Sequence, residues 1–174
     1  MKWLAIATVI GSLTACGGSG GSSPTAPTPT APPANIAGPY RATLTASSTC
    51  SANLPPDTRA LEFLATVTQT DAAVQMQLVA HAPGAPSTTF SGTVSGQAVS
   101  FPSFSITAAM GRGAALTASG NANVAANGLS ITGALNGTYQ TSSGSSCNAA
   151  NHQLQMVKLC LTPIATGTAL LPCV

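Results

Sequence analysis

Few side chains in this 174-residue chain can do acid, base or nucleophile work. The carboxylates are Asp57, Glu62 and Asp71, and the histidines are His81 and His152. Glycoside hydrolysis usually sets two carboxylates across a cleft. Here Glu62 falls on the polar face of an alternating stretch, and Asp57 and Asp71 flank that stretch at opposite ends. A strand of about 12 residues spans roughly 40 Å, so the two aspartates do not face each other. Serines are abundant, but G-x-S-x-G occurs only as Gly17 to Gly21, within a Gly- and Ser-rich run that is no strand-to-helix elbow. An H-E-x-x-H pair, a phosphate loop and a Gly-rich dinucleotide fingerprint are also missing from the sequence. His81 is expected at a loop edge before Ala82-Pro83-Gly84-Ala85-Pro86, and His152 at the opening of the last strand, where it packs or caps. No catalytic residue and no cofactor is assigned, and the reading is non-enzymatic.

The other reactive side chains are the five cysteines: Cys16, Cys50, Cys147, Cys160 and Cys173. No two have the C-x₂₋₄-C spacing of a zinc site, and there is no redox C-x-x-C. No metal site is expected. Charged residues make up 5% of the chain, against about 25% in an ordinary soluble domain. Nucleic-acid partners are excluded on that ground, because neutralising phosphates takes several clustered cations.

Cys16 has a context of its own. Lys2 gives a basic start, and Trp3 to Leu13 is an apolar run broken by Thr8, Gly11 and Ser12. That run is too short to cross ~30 Å of hydrocarbon as a mature helix. Its order, basic then apolar then small, is that of a secretory signal. It ends in Leu13-Thr14-Ala15-Cys16. These four positions resemble the lipobox of bacterial lipoproteins, an aliphatic residue three places before the cysteine with small residues between. The resemblance implies that residues 1–15 are removed, that the Cys16 thiol accepts a diacylglyceryl group and that the new amine is acylated. A thiolate is nucleophilic enough for that transfer. Two or three chains make a stable anchor where one holds only marginally. Gly17, in place of the Asp that favours inner-membrane retention in enterobacteria, implies a lipid anchor in the outer membrane of the cell envelope. The membrane is then a partner, through the Cys16 lipid.

Residues 16–37 read as a tether. After the cysteine, Gly and Ser give way to alternating Pro, Thr and Ala, which predicts a flexible coil followed by a stiffer polyproline spacer.

From residue 38 to 174 the pattern has period two. Leu61, Phe63, Ala65 and Val67 share one face, as do Val74, Met76 and Leu78. Val99 and Phe101 are in one phase and Phe104 and Ile106 in the other, so a β-bulge is expected at Pro102. Asn127-Gly128 predicts a type I′ hairpin turn, and Thr141 to Ser146 a longer loop. The last strand is expected near His152 to Leu161. The fold class is all-β: about eight antiparallel strands in a meander, closed into a small barrel, with a β-sandwich as the alternative. The architecture broadly resembles calycin-type barrels as a fold analogy, without any motif of those families.

With Cys16 lipidated, four cysteines remain, and three pairings are possible. An oxidising envelope favours disulfides. Cys50–Cys147 with Cys160–Cys173 is preferred. The first bridge would join loops beside the first and last strands, which are neighbours in a closed barrel. The second would pin the segment from Leu161 to Pro172 onto the last strand.

Two functional readings follow. One is a structural or interaction module displayed on the envelope through polar, weakly charged surface, its protein partner unidentified. The other is a carrier of a small apolar ligand. The stripe Ala118, Gly120, Ala122, Gly133 and Gly137 faces bulky Phe63, Phe90, Phe101, Phe104 and Met76, and either packs against them or leaves a cavity.

Overall fold

A computed structural model describes residues 31–80, 87–108, 114–141, 143–164 and 167–174. Cys16, the expected signal and His81 lie outside the described residues. The chain forms β1 (Gly38–Thr45), β2 (Ala60–Thr70), β3 (Ala73–Ala80), β4 (Ser87–Ser95) and β5 (Ala98–Ala108). It continues through β6 (Ala114–Val124), β7 (Ser130–Thr141), β8 (Ser146–Ile164) and β9 (Gly167–Pro172). Each strand pairs antiparallel with the next, and β1 also pairs with β8, from Tyr40↔Lys158 to Thr45↔Gln153. That extra pairing closes eight strands into a barrel rather than a sandwich. β9 is a further strand that folds back on the end of β8 alone.

Alternation dictates which face is which. Leu61, Phe63, Ala65 and Val67 of β2 and Val74, Met76 and Leu78 of β3 point inward and are buried. Between them Glu62, Thr66, Thr68, Gln75 and Gln77 are exposed. An apolar interior under a polar exterior reverses the pattern of barrels that span outer membranes.

The register of β5 against β6 shifts between Phe101 and Phe104, across Pro102. Proline has no N–H for the ladder, and the bulge turns both phenylalanines inward. Phe90 stacks on Phe104 at 4.5 Å between ring centroids, and Phe101 meets Phe90 edge-on at 5.5 Å. The facing small-residue stripe serves curvature. A Cβ on Gly133 would lie 2.7 Å from the Cα of Ala122, and one on Gly137 2.7 Å from the Cα of Ala118. Only glycine lets β6 and β7 curl this tightly on the inner face.

Four local expectations need correction. Asn127 keeps negative φ, and only Gly128 turns positive, at 70°. The hairpin is therefore not type I′. Gly128 N–H donates to the Ala125 carbonyl and Ala125 N–H to the Ser130 carbonyl, a longer connection ending in a left-handed glycine. Thr141 N–H donates to the Ser145 carbonyl at 2.8 Å, and β8 starts at Ser146, well before His152. The segment from Leu161 to Pro172 is not a plain tail but spans both strands of a hairpin, residues 161–164 extending β8 and Gly167–Pro172 forming β9. Finally, the last residues of the expected tether belong to the barrel. Ile36 is fully buried, and Ala34 packs against the core. An apolar side chain next to a barrel mouth gains more by entering it than by staying in water.

Candidate functional site

The two mouths of the barrel decide whether the interior can take a ligand. At the upper mouth, where β1 begins, residues 31–37 cross the opening as a strap. Ala34 N–H donates to the Gly96 carbonyl in the β4–β5 turn at 2.7 Å. Gln69, at the end of β2, accepts from Ile36 N–H at 2.8 Å and donates to the Ala34 carbonyl at 3.0 Å. Tyr40 completes the fixture, its hydroxyl donating to the Ile36 carbonyl at 2.9 Å. Ile36 fills the mouth.

The lower mouth is covered by the loop between β1 and β2, which holds two short 3-10 turns, Ser48–Ala52 and Pro56–Thr58. Leu54 and Cys50 of this loop are buried. Cys50 is bonded to Cys147 at the start of β8, across 97 residues of sequence. Tyr139 of β7 donates its hydroxyl to the Thr58 carbonyl at 2.6 Å. Arg59 braces the loop from its end, Nε donating to the Leu54 carbonyl at 2.9 Å and Nη2 to the Ser51 carbonyl at 2.6 Å.

His152 is part of the same closure. It is 1% exposed, and its Nδ1 accepts from Ser47 N–H at 3.0 Å. The ring proton therefore sits on Nε2, 3.1 Å from the Gly137 carbonyl oxygen, to which it donates. Both nitrogens are spent on backbone, as expected of a packing and capping histidine. Each tyrosine is likewise committed to the neutral form. Burial pushes the Tyr40 phenol up to about 12 and raises Tyr139 still further. Between the mouths lie Tyr40, Tyr139, Phe101, Met76, Met156 and the other inward side chains, all buried. The interior is a packed core.

A concavity lies outside it, on the surface of the barrel. A groove of about 820 Å³ runs between the β1–β2 loop and the start of β8. Ser47, Ser48, Thr49 and Ser51 line one side and Asn148, Asn151 and Gln153 the other, with Arg59 at one end. Ala46, Ala149 and Ala150 also line it, and its hydroxyls, amides and one guanidinium can hydrogen-bond a polar ligand or peptide. Nothing in the sequence pattern marks this groove. Serine and asparagine in loops carry no periodic signal, and only the Cys50–Cys147 bond implies that the two loops meet.

The remaining chemistry-bearing residues are dispersed. Asp57 lies in the lower loop and Asp71 in the β2–β3 turn at the other end of β2, while Glu62 faces outward near the lower end. Cys160 is bonded to Cys173 and ties β9 to β8. Among the described residues, no three His, Cys, Asp or Glu side chains are grouped closely enough to hold a metal ion.

The fold thus defines a small closed antiparallel barrel with both mouths covered. A redesigned β barrel among solved structures is similar to it, with 10% identity, a TM-score of 0.40, and 71% of this chain and 90% of that one covered. No protein-family model and no curated protein matches the chain.

Proposed function

We propose that the chain is a lipoprotein of the bacterial envelope, acylated at Cys16, that presents a small closed barrel as a non-enzymatic interaction module. The observation that carries the module over the carrier is the covering of both barrel mouths above a core of buried side chains. Ligand carriers of this architecture keep a chamber and a mouth. Here the strap through Ile36 and the loop through Leu54 occupy those places. What the domain offers to a partner is its outer surface, chiefly uncharged hydroxyls and amides, and the groove beside the Cys50–Cys147 bridge. Binding through such groups is little affected by salt.

Native mass spectrometry of the protein extracted from membranes tests both parts. The expected mass starts at Cys16, carries two or three acyl chains and shows no further bound molecule. A product that starts elsewhere without acyl mass overturns the anchor. A bound apolar small molecule that survives extraction overturns the module in favour of the carrier.

A further inference from the structure

The β8–β9 hairpin is the part of the fold that the barrel does not explain. It leaves the upper mouth and continues past Tyr40↔Lys158, the last β1–β8 pair. From Leu159 to Ile164 it runs six residues, roughly 20 Å at strand spacing. No charged residue occurs between Leu159 and Pro172. Leu161 is 73% exposed, Leu170 46% and Leu171 42%. Leu161 pairs directly with Leu170, so these two share a face. Leu171 lies on the opposite face, because neighbouring strand residues alternate. The ribbon is thus apolar on both sides, and the Cys160–Cys173 bond holds its strands together at the base. A flat protein surface would cover only one of these faces. A lipid interface covers both.

The direction of the ribbon matters as much as its composition. The strap that leads back toward Cys16 crosses the same mouth, with Ala31 against Gly96. Fourteen residues, 17–30, separate Cys16 from Ala31. Fully extended, fourteen residues reach at most roughly 50 Å, more than twice the length of the hairpin. An acyl anchor at Cys16 would therefore let this mouth come down to the bilayer, so that the hairpin can enter the interface along its length. Lys158 stands at the base of the ribbon, its Nζ 5.8 Å from the centre of the Tyr40 ring, and exposed Arg41 is on the adjoining strand. Both suit anionic headgroups. Asp71 is the one acidic side chain at this end among the described residues.

We infer that the β8–β9 hairpin is a second membrane contact: Leu161, Leu170 and Leu171 enter the lipid interface and set the barrel upright on the membrane that holds Cys16. The inference rests on the proposed anchor at Cys16. It directs the lower mouth and its groove away from the bilayer.

The test uses mature protein from membranes, reconstituted in phosphatidylethanolamine–phosphatidylglycerol vesicles containing brominated phosphatidylcholine. The only tryptophan in the chain is Trp3, inside the expected signal, so the parent protein should lack tryptophan emission. Emission from the parent, with a mass that retains Trp3, marks failure of the anchor reading separately. Leu170→Trp then reports the ribbon and Asn53→Trp, exposed at the lower end, the far mouth. The expected result is blue-shifted emission quenched by bromine for Leu170→Trp, and red-shifted, unquenched emission for Asn53→Trp. Equal quenching of the two, or of neither, overturns the inference. So does a blue shift at Leu170→Trp that bromine leaves unquenched and dilution reverses, because a second copy of the chain would then cover the ribbon.

Discussion

Tyr139 reaches across 81 residues of sequence to donate its hydroxyl to the Thr58 carbonyl oxygen at 2.6 Å. Tyr40 makes the corresponding bond to Ile36 at the opposite mouth. The chain has two tyrosines, and each fastens one closure of the barrel. Removing the Tyr139 hydroxyl leaves a buried carbonyl without that donor. Tyr139→Phe should therefore cost about 1–2 kcal/mol. For a domain of this size that is a fall of roughly 3–8 °C in thermal midpoint. A melt by circular dichroism that overlays the parent would show that this bond does not hold the lower loop.

Alkali attacks both closures together. A phenol whose folded pKa lies above its unfolded value of about 10 favours the folded state while it stays protonated. That contribution is complete below pH 10 and is lost as pH rises through the folded value, about 12 for Tyr40 and higher for Tyr139. Tyrosinate absorbance reports only these two groups. It should rise together with loss of the β signature, above pH 10. Full tyrosinate absorbance near pH 10 with the barrel intact would contradict the burial of these rings.

The two disulfides should differ sharply in effect. Cys50–Cys147 closes a separation of 97 residues and binds the lower loop to β8. By loop entropy alone such a bridge contributes more than 4 kcal/mol. Cys160–Cys173 closes 13 residues within the protruding hairpin. Replacing Cys50 and Cys147 by serine should lower the thermal midpoint by ten degrees or more, on the order of the range expected for a native bridge. Replacing Cys160 and Cys173 should free β9 while the barrel transition moves by only a few degrees, on the order of 1 kcal/mol. Equal losses would mean that the hairpin belongs to the cooperative core.

Strand faces were legible because period-two patterning is local: the inward sets in β2, β3 and β6 follow from alternation alone. The bulge at Pro102 was legible for the same reason, since a phase change can be counted. Closure was suggested by chain order and by the cysteines, and the β1–β8 register realises it. What escaped were distant contacts that neither alternation nor a cysteine marks. Ile36 sits in a Pro- and Ala-rich stretch with no periodicity, and its place in the upper mouth depends on Gln69 and Tyr40. The Asn127-Gly128 pair predicted a turn in the right place but of the wrong kind, because Asn127 can also serve by accepting Leu129 N–H at its side-chain oxygen. The outer groove arises only when two polar loops are brought side by side.

The glycine stripe gives the most direct test of how the barrel curves. A Cβ on Gly133 would meet the backbone of Ala122, which cannot swing aside as a side-chain tip can. Gly144 is a useful contrast: its φ is +87°, but nothing lies within 4 Å of an added Cβ. Gly144→Ala should cost only the left-handed backbone strain, about 1–2 kcal/mol. Gly133→Ala must separate β6 from β7 or uncurl them, and overpacking of this kind costs about 3 kcal/mol or more. Denaturant titration of the two variants should rank Gly133→Ala well below Gly144→Ala. The reverse order would place the bending of the sheet elsewhere and leave the small residues as ordinary core filling.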